Sequence, residues 1–260
     1  MNSPGDPAPG SWDRQAALRD LRHSPFDVLV IGGGITGAGV ALDAVSRGHS
    51  VALVERDDFA SGTSSKSSKL VHGGLRYLQQ GDVRLVYEAL HERKRLRRNA
   101  PHLVRVLPFM IPILTKDGLI SKKIARALGS ALWMYDITGG WRIGRLHRRL
   151  SGKAARSHLP TMREDRLASA YLYFDAEADD ARLTLAVTRS AVDLGAVAAT
   201  RVEVVAIERR GDMSEVTLRD GLSGESFTTR ARCVVNATGV WADELRRLDE
   251  GIHPRTIRPA

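Results

Sequence analysis

The hydrophobic pattern near the start of the chain predicts a strand, a helix and a second strand in close succession. An apolar run over 26–31 leads into a glycine-rich turn, and small helix-compatible residues over 40–45 follow. A second apolar run over 51–54 ends at Glu55. Continuous apolar runs of this length are typical of strands buried on both faces of a parallel sheet. We therefore predict a β-α-β unit between residues 26 and 55.

The last third of the chain predicts a β-meander followed by another buried strand. Short strand-like runs cover 202–207, 215–218 and 227–229, with turn residues at 211–212 and 220–221. A final apolar run from Cys233 ends in Ala237, Thr238 and Gly239. Small residues at a strand end let the backbone pass close to a ligand. Cys233 itself is expected in the core.

The glycine turn has the spacing of a dinucleotide-binding site, formed by Gly32, Gly33, Gly34, Ile35, Thr36 and Gly37. Gly32 permits the tight turn, Gly34 lets a pyrophosphate approach the backbone, and Gly37 lets helix and strand pack closely. The helix N-terminus offers N–H groups and partial positive charge to phosphates. Glu55 stands where a carboxylate can accept the ribose hydroxyls. The alternative is a glycine-rich turn in an unrelated α/β protein.

A hydroxyl-rich stretch over 61–69 follows the second strand and leads into His72, Gly73, Gly74, Arg76 and Tyr77. Hydroxyl and backbone N–H groups in such a loop can line a pyrophosphate and the flavin beyond it. Taken alone, the stretch also fits a flexible surface loop. Beside the glycine turn, it favours a cofactor-binding segment.

Composition and charge narrow the class of protein. The 260 residues are 43% apolar and carry a net charge of +9, as in an ordinary globular protein. One cysteine excludes an internal disulfide framework and a zinc site built from cysteines, and we predict no metal. No apolar run reaches the ~20 residues of a membrane-spanning helix. We expect a cytoplasmic protein with a flexible leader over 1–23 and no signal peptide.

The positive charge is concentrated between His91 and His158, where 16 Lys and Arg accompany 3 Asp and Glu. Such a segment fits anionic lipid headgroups. A solvated basic face is the plain alternative. Nucleic-acid binding is not predicted, because no aromatic platform interleaves the cations.

The chain resembles FAD-dependent glycerol-3-phosphate dehydrogenase, the respiratory flavoenzyme. The resemblance covers roughly 26–245 and is most specific over 62–78, the hydroxyl-rich stretch with its His-Gly-Gly-Leu-Arg-Tyr continuation. It implies a two-dinucleotide-binding, Rossmann-like α/β FAD domain with a partial α+β substrate domain. It also implies oxidation of sn-glycerol 3-phosphate to dihydroxyacetone phosphate, with hydride passing to flavin N5 and electrons to quinone.

The resemblance also implies roles for individual residues. Arg76 would bind the substrate phosphate, with Tyr77 assisting and His72 beside the flavin, although Arg76 also fits a surface cation and His72 a donor to a carbonyl. FAD would be held by the glycine turn together with Glu55, Arg56, Thr63, Ser64, Ser68, Lys69, Gly73, Gly74, Ala237, Thr238 and Gly239.

The expected organisation is an FAD domain over 24–98 and 177–245, a basic insertion over 99–176 that begins the substrate domain, and a truncated tail over 246–260. Members of the resembled family are about twice as long, so the chain is expected to be an N-terminal portion. Implied partners are glycerol 3-phosphate, quinone or another acceptor, the inner face of an anionic membrane, and a second subunit in a homodimer. A related amine or 2-hydroxy-acid flavoenzyme and an inactive FAD-binding fragment remain the alternatives.

Overall fold

The computed structural model describes residues 12–74, 77, 81–114, 122–138, 143–161, 167–251 and 256. The chain forms two compact units, one built from Met1–Ser67 with Asp180–Ala260 and the other from Ser68–Asp179. This division differs from the predicted one, which kept residues 68–98 with the FAD domain. The difference arises because the strand at Leu70–Val71 pairs within the second unit.

The first unit contains a six-stranded mixed sheet in the order β7-β2-β1-β10-β9-β8. Strands β7, β2, β1 and β10 are parallel, whereas β9 and β8 continue the sheet as an antiparallel meander. The strands are β1 (Pro25–Ile31), β2 (Val51–Val54), β7 (Val197–Ala199), β8 (Val202–Arg210), β9 (Met213–Asp220) and β10 (Ser226–Asn236). The predicted β-α-β unit, meander and final strand are confirmed.

Alternating side chains of β1 and β2 form two apolar layers, one on each face of this sheet. Leu29 and Val54 belong to one layer, and Val30 and Leu53 to the other. The helices that contribute to these layers are α1 (Arg14–His23), α2 (Ile35–Ser46), α6 (Asp180–Asp193) and α7 (Ala242–Glu250). Helices α1 and α7 pack in the first layer, and α2 and α6 in the second. Both faces of the parallel strands are therefore covered, as their continuous apolar sequences require.

Cys233 is exposed, which contradicts its expected place in the core. It lies within β10 beside Arg232, and both residues face solvent at this point of the strand. Cys233 pairs with Val28 of β1 through the backbone, so a place in the sheet beside apolar residues did not by itself bury the side chain.

The predicted flexible leader is corrected for residues 12–23, which are ordered and packed. Asp13 caps α1 by accepting from the Gln15 N–H group, and Leu21 in the helix is fully buried. The Trp12 indole N–H donates to the Ala198 carbonyl at 3.0 Å. Packing against distant segments, rather than local sequence, orders this part of the chain.

Arg14 anchors α1 through a largely buried ion pair with Asp220, at 2.5 Å. The hydrogen bond from Arg14 lowers the pKa of Asp220 to about 2. Since the carboxylate titrates near 3.9 in an unfolded chain, the pair stabilises the fold above pH ~4 and loses this effect as pH falls toward 2.

We expect Arg14→Met to lower the free energy of unfolding by roughly 2 kcal/mol at neutral pH, with the deficit shrinking below pH ~4. Urea titrations between pH 7 and pH 3 measure this difference. The control is Arg47→Met, since the Arg47–Asp43 pair lies on the surface of α2 and such pairs contribute less than ~1 kcal/mol. Equal losses in the two variants, or a deficit independent of pH, would contradict the prediction.

The second unit is built on a long central strand, β6. Strand β4 pairs along one side of β6, whereas β3 and β5 pair with successive stretches of its other side, all antiparallel. The strands are β3 (Leu70–Val71), β4 (Val104–Leu114), β5 (Arg148–Ser151) and β6 (Leu167–Ala178). The apolar run that includes Pro108 and Pro112 is thus a strand.

The helices of the second unit are α3 (Val83–Asn99), α4 (Lys122–Thr138) and the short α5 (Gly152–Arg156). Asp82 caps α3 by accepting from the Leu85 N–H group. The buried side of α3 carries Val86, Leu90 and Arg93, at helical spacing. Among the described helices, none is long and apolar enough to cross a membrane.

Candidate functional site

The glycine turn joins β1 to α2 and lies against the end of β10. Gly32 has a φ of +109°, and a Cβ atom there would lie 2.6 Å from the Ala237 carbonyl oxygen. A Cβ atom on Gly37 would lie 1.9 Å from the Gly32 carbonyl oxygen. Glycine is therefore required at both positions, which agrees with the roles predicted for them.

The first turn of α2 presents backbone N–H groups at the mouth of this turn. Gly34 is the N-cap residue, and no side chain of its own caps the helix. The Ser64 hydroxyl instead accepts from the Ile35 N–H group at 2.9 Å. The N–H groups of Thr36 and Gly37 have no preceding helical carbonyl to bind. This end of α2 can bind a phosphate, with Ser64 beside it.

Glu55 holds the turn as well as facing the site. One carboxylate oxygen accepts from the Gly33 N–H group at 2.7 Å, and the other accepts from the Asp57 N–H group at 2.9 Å. Each carboxylate oxygen has a second lone pair, so these bonds leave acceptor capacity for a ribose hydroxyl. The predicted contact with ribose stays a prediction.

Arg56 is held over one end of the site by two partners that sequence reasoning missed. Its guanidinium stacks over the Trp241 ring at 4.7 Å from the centroid and pairs with Glu244 at 3.2 Å. A Cβ atom on Gly62 would lie 2.9 Å from the same ring. Trp241 and Glu244 come shortly after the Ala-Thr-Gly segment in the sequence. The signal that could have indicated a partner for Arg56 was Glu244, an acidic residue in the first turn of the following helix.

The strand end itself is fixed by Asn236. Its side-chain oxygen accepts from the N–H and hydroxyl groups of Thr238, and its amide donates to the Ala242 carbonyl. Gly239 adopts a φ of +60°. These contacts keep the Ala237–Gly239 backbone beside the glycine turn.

Together these segments enclose a cavity of about 800 Å³ in the first unit. Its walls include the predicted residues Gly32, Gly34, Ile35, Thr36, Glu55, Arg56, Thr63, Ser64, Ala237, Thr238 and Gly239. Trp241, Glu244 and Arg247 line it as well. The volume, the glycine contacts and the helix N-terminus fit a dinucleotide such as FAD.

Gly33 and Gly37 belong to the glycine turn of the first unit, and the other predicted residues belong to the second unit. Arg76 is outside the described residues. Lys69 adopts a φ of +58°, and its carbonyl accepts from the Ala178 N–H group. The exposed His72 ring lies 3.5 Å from the Ser68 hydroxyl. Gly73 is buried, Gly74 has a φ of +77°, and the exposed Tyr77 donates its N–H group to the Gly74 carbonyl.

A buried polar cluster lies directly under Gly73 and was not predicted. Arg93 donates to Asp175 and to the Tyr135 hydroxyl, each at 2.6 Å. Burial raises the pKa of Tyr135, which stays protonated. The available signal was the spacing of Val86, Leu90 and Arg93, which places this arginine on the apolar side of α3.

Comparisons with known proteins agree with this geometry. The mitochondrial glycerol-3-phosphate dehydrogenase of Mus musculus is 43% identical over 252 residues, which are 91% of this chain and 34% of that protein. The glycerol-3-phosphate dehydrogenase of Mycobacterium leprae is 45% identical over 93% of this chain and 41% of its own length. The chain therefore spans well under half the length of these relatives.

Solved structures have the same fold. The glycerol-3-phosphate dehydrogenase from Bacillus halodurans, complexed with FAD, matches with a TM-score of 0.69 and 33% identity, over 92% of this chain and 39% of that one. Glycine oxidase from Geobacillus kaustophilus, at 22% identity and a TM-score of 0.62, shows the fold alone. The model of the FAD dependent oxidoreductase family matches residues 27–260, and this chain belongs to that family.

Proposed function

We propose that this chain forms the FAD-binding portion of an enzyme that oxidises sn-glycerol 3-phosphate to dihydroxyacetone phosphate. The main support is the identity of 43–45% to glycerol-3-phosphate dehydrogenases across more than nine-tenths of the chain. The segment from Gly62 to Leu78 lies within the region matched by the family model and carries hydroxyl, histidine and arginine side chains suited to such a reaction, together with Gly73 and Gly74.

The cavity of the first unit is the proposed site for the adenosine and pyrophosphate parts of FAD. Gly32, Gly34 and Gly37 let the cofactor approach the backbone, and Glu55 orients the ribose. Thr63 and Ser64 add hydroxyl donors beside the start of α2. Bound FAD supplies the hydride acceptor for the reaction.

The loop of the second unit is the proposed site for the flavin ring and the substrate. Ser68 and Lys69 bind toward the ribityl chain, and the backbone of Gly73 and Gly74 lies beneath the ring. Arg76 binds the substrate phosphate through a bidentate guanidinium contact, and Tyr77 adds a hydrogen bond. The exposed His72 imidazole is suited to take the proton of the C2 hydroxyl.

The test begins with the purified full chain and added FAD. Flavin absorbance that stays with the protein through gel filtration is expected, followed by bleaching when glycerol 3-phosphate is added without oxygen. Retained flavin with no bleaching would contradict the proposed catalysis by this chain, and absence of retained flavin would contradict FAD binding.

Arg76→Ala is expected to raise the glycerol 3-phosphate concentration needed for half-maximal bleaching by at least ~10-fold, because a charge-assisted contact to phosphate is lost. FAD binding should not change. The control is Arg84→Ala, since Arg84 is an exposed cation of α3 that pairs with Glu88. Equal bleaching by glycine or lactate would favour the amine or 2-hydroxy-acid alternative.

We extend the proposal to quinone as the electron acceptor, reached at the inner face of an anionic membrane. The support is an exposed patch of Trp133, Ile137 and Leu146, together with the exposed cations Arg148 and Arg149. The two segments meet because His147 bonds to Asp136 at 2.7 Å. Apolar side chains beside cations suit a headgroup surface. Binding to phosphatidylglycerol vesicles that weakens with salt would support this part, and equal binding to neutral vesicles would contradict it.

A further inference from the structure

The second unit contains a buried ion pair that none of the proposed catalytic steps uses. Arg93 on α3 is 1% exposed, and its Nη1 lies 2.6 Å from Oδ1 of Asp175 on β6, which is also buried. Their neighbours Leu90 and Val86 are fully buried. Two charges have thus been removed from water beside buried apolar side chains.

This pair contacts the backbone of the loop that precedes Arg76 in the sequence. Oδ1 of Asp175 also accepts from the Gly73 N–H group at 3.1 Å. On the other side, a Cβ atom on Gly73 would lie 1.8 Å from the Tyr135 hydroxyl and 2.6 Å from Nη1 of Arg93. The Gly73 backbone is therefore seated directly on the Arg93–Asp175–Tyr135 cluster.

The same carboxylate faces His72. Oδ2 of Asp175 lies 3.9 Å from Nδ1 of His72, whose side chain is 61% exposed. One aspartate therefore contacts the backbone of Gly73 through one oxygen and approaches the neighbouring imidazole with the other.

Stability alone does not account for two buried charges at this place. Apolar residues of similar volume often stabilise a core as well as a buried ion pair does, since the charges lose their hydration. Within the part of the chain that the structure describes, Nη2 of Arg93 is buried with no hydrogen-bond partner, so the guanidinium is not fully compensated there. What the charges supply, and apolar side chains would not, is a directional bond to one glycine N–H group.

We propose that Arg93 and Asp175 are positioning residues that fix the His72–Gly74 backbone for the flavin ring. Neither residue is a catalytic residue, because each acts through the loop. This role rests on the proposed function, in which Gly73 and Gly74 lie beneath the ring.

The first experiment is independent of FAD and measures hydrogen exchange at the Gly73 amide in the full chain. Asp175→Leu removes the acceptor, and the double variant Arg93→Met/Asp175→Leu also removes the unpaired cation. We expect the double variant to recover most of the urea midpoint lost in Asp175→Leu. Its Gly73 amide should still exchange at least ~10-fold faster than in the original chain, since its hydrogen bond is missing.

The control is Arg84→Met, which removes an exposed cation of the same helix and should leave Gly73 exchange unchanged. A purely structural role predicts that stability and Gly73 protection recover together in the double variant, and that result would overturn the proposal. Unchanged protection in Asp175→Leu would overturn it as well.

The second experiment compares binding of FAD with binding of ADP, which lacks the flavin. In the double variant, FAD affinity should fall at least ~10-fold while ADP affinity stays within about twofold, if the lost bond acts at the flavin end. Equal losses for both ligands, or no loss for FAD, would overturn the positioning role. Failure of the original chain to bind either ligand would instead contradict the proposed function, and the exchange result would still decide whether the pair fixes the loop.

Discussion

Gly37→Ala is expected to abolish FAD binding and to lower the free energy of unfolding by about 3 kcal/mol. The new Cβ atom would lie 1.9 Å from the Gly32 carbonyl oxygen. This oxygen is a backbone atom, so the clash cannot be relieved by a side-chain rotation. Either α2 moves away from β1, or the glycine turn opens. Both changes misplace the N–H groups proposed to bind the pyrophosphate.

A matched control lies two residues further along the same helix. Gly39 is exposed, and a Cβ atom there would have no described atom within 4 Å apart from its chain neighbours and the nearby backbone of its own helix. Gly39→Ala should therefore stabilise the chain by roughly 0.5–1 kcal/mol, since alanine favours a helix over glycine. Urea unfolding and flavin fluorescence titration check both variants. Similar behaviour of the two would show that helix propensity, rather than the contact with Gly32, decides the outcome.

The second large effect is expected from Gly73→Ala. Its Cβ atom would lie 1.8 Å from the Tyr135 hydroxyl, and Tyr135 is buried and bonded to Arg93. We expect a loss of about 3 kcal/mol in the free energy of unfolding. Either the backbone around Gly73 must move away from the Arg93–Asp175–Tyr135 cluster, or Tyr135 must shift within a close-packed layer.

Removing the obstructing oxygen tests this explanation. Gly73→Ala/Tyr135→Phe should recover part of the stability lost in Gly73→Ala, although Tyr135→Phe alone costs stability through the lost bond to Arg93. The measurement is a double-mutant cycle by urea unfolding, with a coupling energy of at least ~1 kcal/mol. Additive losses would mean that the Tyr135 hydroxyl is not the obstacle.

Much of the fold was predictable because its signals are local. The apolar run of β1, the glycine spacing and Glu55 all lie within 30 residues. In the structure they contact one another, since β1 pairs with β2 and Glu55 bonds to the glycine turn. The turns that define the meander are likewise contained in neighbouring residues. A β-α-β unit can be predicted from a single sequence when its strand, turn and helix signals lie this close together.

The features that escaped prediction depend on distant partners. Arg14 meets Asp220, 206 residues away, so nothing around Arg14 marks residues 12–23 as ordered. The spacing of Arg93 from Val86 and Leu90 places it on the apolar side of α3, but its partners Asp175 and Tyr135 are distant in sequence and could not be predicted from it. The boundary at Ser68 escaped for the same reason, since β3 is too short to be recognised without β6.

The parallel pairing of β1 with β10 has a consequence for the order in which the chain folds during synthesis. Pro25 pairs with Arg230, so β1 leaves the ribosome roughly 200 residues before its neighbour exists. The second unit, by contrast, is one continuous stretch from Ser68 to Asp179 and can complete its sheet alone. Nascent chains should therefore acquire a protease-resistant second unit first. The apolar strand β1 stays exposed beside the glycine turn until β10 has been synthesised.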